Sequence, residues 1–227
     1  MEIHPSAFVV PTLMVIAALS WVWLRFRQQI SSGALESIAQ ENDLAFESVA
    51  YLDDTLLGIN MLSKTDKREY SNCLTSRTNG HVFRVFDFRY TTTSNYNPTN
   101  QTVVAIEAVD ALPPFLIEPR SLMGGFLGEK ENEVTFRDEA MKAFRVFTAG
   151  EQHPVRRLFR EEVLTLLRSR KWKIESTQYQ FVAYVERHEA NPEVLLDFVN
   201  EVAQIFDRLQ EMHARAEQIP TASPQLV

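Results

Sequence analysis

GHVFRVFDFRYTTTSNYNPTNQTVVAIEAV, residues 80–109, decides the fold class of this chain. Its two ends are dense in aromatic and β-branched residues and read as strands over 80–90 and 100–109. The polar TTTSNYNPT between them, with Pro98, predicts a long hairpin loop. Further strands are expected at EVTF (133–136) and FRVFTA (144–149). A doubly wound parallel sheet needs helices between its strands, and residues 69–149 carry no helical period.

C-terminal to this region the period changes from two to 3.6. His153–Pro154 opens a helix whose stripe is Val155, Leu158, Phe159, Val163, Leu166 and Leu167. Asn191–Pro192–Glu193 starts a second helix, with Val194, Leu195, Phe198, Val199, Val202, Ile205, Phe206, Leu209 and Met212 giving its helical periodicity. Between them, WKIES and QYQFVAYVER form a hairpin with Tyr179, Phe181, Ala183 and Val185 on one side. On the N-terminal side, SSGALESIAQEND predicts a short helix or a continuation of the preceding one, with a break at Ser31, Ser32 and Gly33, Leu35, Ile38 and Ala39 on one face and a stop at Asn42–Asp43. The expected class is α+β: an N-terminal transmembrane helix, then a mainly antiparallel sheet domain with two helices in the C-terminal half.

The transmembrane expectation rests on PSAFVVPTLMVIAALSWVWL, 20 uncharged residues between His4 and Arg25. As a helix they reach about 30 Å, a bilayer core's thickness. Trp21 and Trp23 suit the headgroup layer, and Arg25 and Arg27 place their end in the cytoplasm. A cleaved signal peptide needs its charge before the apolar run and a small-residue cleavage site after it, and the sequence offers neither. The expected organisation is an anchor and juxtamembrane segment over 1–30, a cytoplasmic domain over 31–216 and a flexible tail over 217–227. The expected location is a bacterial inner membrane, with the N-terminus outside and the lipid bilayer itself as one partner.

Composition narrows the function classes. The 227 residues are 45% hydrophobic and 23% charged, with 15 Phe and 7 Gly, as suits a globular core. One cysteine, Cys73, cannot form an internal disulfide or a CxxC motif. A net charge of −7 argues against a nucleic-acid partner. No two of His4, His81, His153, His188 and His213 stand at zinc-ligand spacing. MGGFLGEK (123–130) misses the phosphate-loop spacing, and Glu129 would repel a phosphate. Asp53–Asp54 read as a helix cap. Asp87 and Glu107 interrupt strands, either facing each other or pairing with Arg84 or Arg89. No catalytic, cofactor or metal residue is assigned.

The distinctive feature is basic. Residues 154–173 hold Arg156, Arg157, Arg160, Arg168, Arg170, Lys171 and Lys173 against Glu161 and Glu162, a charge of +5 that leaves −12 on the rest. Arg156 and Arg160, four apart, are expected on one side of a helix. The surface suits anionic headgroups or an acidic partner. A solvated face laced by pairs such as Arg157 with Glu161 is the alternative.

VFRVFDFRY (82–90), ALPPFLIEP (111–119), VTFRDEAMKAFRVFTAGEQHPVRRLF (134–159) and WKIES (172–176) follow the anchor in an order that resembles a family of bacterial single-pass membrane proteins with no assigned activity. The resemblance implies location and architecture and transfers no site residue. The function expected is a membrane-anchored binding or accessory module with a protein partner at the membrane. An enzyme with a dispersed active site and an anionic-lipid sensor are the alternatives.

Overall fold

The aromatic run at 82–90 pleats as its sequence demands. Val85 points to one face of a sheet and Phe86 and Phe88 to the other, all three buried. The computed structural model describes residues 32–51, 67–78, 80–92, 95–107, 112–120, 132–177 and 179–218. Its strands are β1 (Ala45–Val49), β2 (Lys67–Thr78), β3 (His81–Thr92), β4 (Asn95–Glu107), β5 (Phe115–Pro119), β6 (Phe144–Phe147), β7 (Trp172–Ser176) and β8 (Gln180–Val185). They form one sheet in the order β1-β2-β3-β4-β8-β7-β5-β6, with every neighbouring pair antiparallel. The helices are α1 (residues 32–41), α2 (Gln152–Leu158), α3 (Glu161–Leu167) and α4 (Pro192–Glu217), with a 3₁₀ turn at Glu139–Ala143.

The helices share one face of the sheet. Leu35 and Ala39 of α1, Val155 and Leu158 of α2, Val163, Leu164 and Leu167 of α3, and the α4 stripe join Val104, Ile106, Ile117, Ile174 and Phe181 in one core. The opposite face has its own cluster of Cys73, Phe86, Phe88, Val103, Ala105, Val182 and Tyr184, with Tyr70, Phe88 and Tyr90 stacked at 5.2 and 5.0 Å. β4 is therefore buried at every position from Gln101 to Ile106.

The expected fold class is corrected on two counts. Among the described residues no helix is long and apolar enough to cross a membrane. The longest, α4, runs 26 residues, but acids and arginines occupy its outer face. The stretch of residues 4–25 on which the spanning helix was expected lies outside the described residues, as do Asp53–Asp54, residues 123–130 and the tail beyond 218. The second correction concerns helix number: the described residues of the C-terminal half hold three α-helices, not two. The backbone leaves helical geometry at Phe159 (φ −91°, ψ 77°) and Arg160 (φ −99°, ψ 173°), separating α2 from α3. The break seats the buried Phe159 ring edge-on against Phe115 at 5.3 Å and Phe136 at 6.0 Å. It also turns Leu164 into the core, leaving Leu166 only partly buried.

Two strand expectations also change. Residues 91–92 and 95–99 are strand, not loop: β3 and β4 continue as a ribbon to the pair Thr92–Asn95, with a register shift between Tyr90 and Thr92 accommodating the extra residues around Pro98. EVTF contributes only a single bridge, Glu133 to Phe147, along the outer side of β6.

Candidate functional site

The basic segment does not form one surface. Arg156 is on α2 and Arg160 is the N-terminal flanking residue of α3, so the helix break takes them off a common helical face. Arg157 is engaged elsewhere than in the expected pair with Glu161: its Nη1 donates to the Ala216 carbonyl at 3.0 Å, near the end of α4. That contact sets a cation where a helix C-terminus has carbonyls to spare.

Arg170 is also used in holding the fold. Its Nε and Nη2 donate to the two Glu201 oxygens at 2.9 and 2.8 Å, and its guanidinium lies 5.6 Å from the Phe198 ring centre. Ser169 Oγ donates to Glu201 at 3.2 Å and accepts from Trp172 Nε1 at 3.3 Å. Hydrogen bonding from Arg170 holds the Glu201 carboxyl below its ordinary pKa. Together these bonds rivet the α3–β7 turn to α4. Lys173 pairs with Glu186 across the β7–β8 hairpin at 2.8 Å. Arg156, Arg160, Arg168 and Lys171 remain exposed, with Arg156 donating to Gln152 within its own helix at 2.6 Å. Four exposed cations in place of seven are what the structure offers a ligand. Trp21, Trp23, Arg25 and Arg27 lie outside the described residues.

The carboxylates that interrupt strands part company. Glu107 pairs with Arg84 across β3 and β4. Asp87 accepts from Asn72 Nδ2 at 2.9 Å and Thr102 Oγ1 at 3.0 Å, while Ser32 Oγ donates to Asn72 Oδ1 at 2.8 Å and the Ala190 amide to Thr102 Oγ1 at 2.9 Å. This chain ties α1, β2, β3, β4 and the start of α4 together, and burial pushes the Asp87 pKa up. Asn72 takes part from a left-handed backbone (φ 54°) inside the β2 bulge. Tyr184 is deeply buried, and loss of water raises its hydroxyl well above the usual value, with the Glu175 charge adding to the effect.

A half-open cleft of about 330 Å³ lies beside β6, floored by Val134, Phe136, Met141 and Phe144 and rimmed by Arg120, Glu133, Asp138 and Lys142. Its central acid is already engaged: Arg145 holds Glu133 through Nε at 3.1 Å and through Nη2, and Arg120 approaches it at 3.5 Å. Among the described residues no three His, Cys, Asp or Glu side chains gather as a metal-binding group.

The chain resembles a transport factor in fold. The crystal structure of the mycobacterial trehalose monomycolate transport factor A matches with a TM-score of 0.57, over 79% of this chain and 94% of that one, at 13% identity. No protein-family model matches the sequence, and neither does any curated protein. At that identity the transport factor shares the architecture and lends no residue roles. Sequence spacing had not singled out Asn72, Thr102 or Glu201, because each acts on a partner at least 15 residues away.

Proposed function

We propose that this chain is an accessory module of a membrane-associated transport process, acting by holding a protein partner. The likeness in fold to a transport factor, extending over nearly all of that protein, carries the reading. The fate of the charged residues supports it: Asp87, Glu133, Arg145, Arg170 and Glu201 are bonded into the scaffold. Arg156, Arg160, Arg168 and Lys171 stay exposed. Such cations steer and orient an acidic partner, with a strength that falls as salt rises.

The test is crosslinking and affinity purification of the full chain from native membranes, read by mass spectrometry. The expected result is a membrane transport protein in stoichiometric amount, released when Arg156, Arg160, Arg168 and Lys171 are all changed to glutamate. Retention of the same protein by the reversed variant would overturn the cationic surface as the contact. Equal pelleting of the chain with protein-free anionic vesicles would make lipid the acidic partner instead.

A further inference from the structure

Strand β1 closes one end of the sheet, and among the described residues no strand pairs along its outer side. The inner side is an antiparallel ladder with β2, from Ala45–Thr75 to Val49–Ser71, interrupted at Ser48 opposite the bulged Asn72. The Ala50 amide continues it by donating to the Tyr70 carbonyl at 3.2 Å. Hydrogen-bonded positions alternate along such a ladder, so with the Ala50 amide bonded to β2 the preceding Val49 turns its amide and carbonyl outward; the phase shifts at Ser48, since Phe46 packs on the helix side of the sheet and Ala50 on the opposite face. Ala45, Glu47 and Val49 lie on either side of that interruption. All three are exposed, Val49 at 62%, and Tyr51 just beyond is 92% exposed.

An open, partly apolar edge is what folded proteins ordinarily blunt with lysine, proline or a covering loop. Here the blunting residue is acidic. Residues 32–51 contain Glu36, Glu41, Asp43 and Glu47, all exposed, and no Lys, Arg or His. The edge thus presents outward backbone groups at Val49, an apolar end at Val49 and Tyr51, and an acid at its centre and at its start. We infer that the outer edge of β1 is a docking site for an extended, basic segment of a partner protein, which adds to the sheet as a further strand. Main-chain bonds supply the affinity, apolar side chains meet Val49 and Tyr51, and Lys or Arg meets Glu47 and Asp43. A second copy of this chain fits worse, since antiparallel self-pairing brings two Glu47 carboxylates close across the new ladder. The inference goes beyond the transport reading and does not depend on it, since it uses a different surface and a partner of opposite charge.

The probe is a synthetic octapeptide alternating Lys or Arg with Val or Ile, titrated into the full chain. Binding is expected, weakened at least tenfold by N-methylating alternate peptide amides, and weakened likewise by Glu47→Lys. Val49→Pro removes one outward donor without touching the β1–β2 ladder, so it is expected to lose at least tenfold in affinity while the melting temperature holds. In the unaltered chain, which needs no variant to fold, amide exchange at Val49 and the other outward β1 amides is expected to slow when the octapeptide is added. Absence of binding, unchanged exchange at these amides under saturating peptide, or equal binding of a Glu/Val octapeptide would overturn the inference. Protection of the same amides by raising protein concentration alone would overturn it in favour of self-association.

Discussion

Asp87 lies on β3 where burial disfavours its charged form, and its pKa rises above the ordinary carboxylate value for that reason first. The bonds from Asn72 and Thr102 work the other way and do not cancel it. The folded chain therefore holds this proton more tightly than the unfolded chain. Stability from that proton is complete below the unfolded value of about 3.9 and is lost as pH rises through the higher folded value. Asp87→Asn abolishes the titration, so the variant's melting temperature relative to the parent is expected to climb between pH 4 and pH 7. A constant difference over that range would mean the carboxyl is in water. Glu201 has the opposite sign: Arg170 lowers its pKa, so its contribution is present above about 4.3 and lost as acid reaches the folded value. Glu201→Gln is expected to cost about 1 kcal/mol at pH 7, because a charge-assisted pair left a third exposed is partly screened. Denaturant titration at pH 7 and pH 3.5 reads both the cost and its disappearance in acid. Neither role was legible in the sequence. Local spacing offered Arg157 and Glu161 as partners, whereas Arg157 bonds a residue 59 positions away and Arg170 one 31 away.

Helix α4 was legible almost residue by residue. Its stripe is long, begins at a capped Asn191–Pro192, and needs no knowledge of the rest of the chain to be assigned. Phe198 and Phe206 are fully buried, the first 4.9 Å from the Trp172 ring and the second 5.2 Å from Phe181. Either residue changed to alanine is expected to lose about 3–5 kcal/mol of unfolding free energy, read from the shift in denaturant midpoint at constant slope. The β7–β8 hairpin was equally plain. The α2–α3 break was not, because apolar residues continue at helical spacing straight through it and only the pocket beside Phe115 and Phe136 draws Phe159 out of the helix. β5 escaped notice for a related reason: Phe115, Leu116, Ile117 and Glu118 are all buried, so the strand has no polar alternation to betray it. The ribbon of residues 91–92 and 95–99 misled in the opposite sense. It extends beyond the reach of β8, whose pairing with β4 starts at Val103, so its residues are polar although they form strand.

At the scale of the molecule, charge is divided between two places in one sheet. The acid-only stretch 32–51 includes the β1 edge, while Arg168 and Lys171 precede β7, five strands away in the sheet order. Five spacings of about 4.8 Å separate those strands by roughly 24 Å. The Debye length is about 8 Å at physiological ionic strength and about 30 Å at 0.01 M, so the two surfaces ignore each other in the first condition and interact in the second. The prediction concerns a variant with Arg156, Arg160, Arg168 and Lys171 changed to glutamate. Its affinity for the basic octapeptide at the β1 edge is expected to match the parent's within about twofold at 0.15 M salt, and to exceed it severalfold at 0.01 M. The sign follows from removing distant positive charge that repels a positive ligand. Its melting temperature at 0.15 M is expected to stay close to the parent's, because none of the four side chains is buried. Fluorescence anisotropy across a salt series measures the first and thermal unfolding the second. An affinity gain that persists undiminished at 0.15 M would mean the two surfaces are adjacent, and that the sheet order does not set their separation.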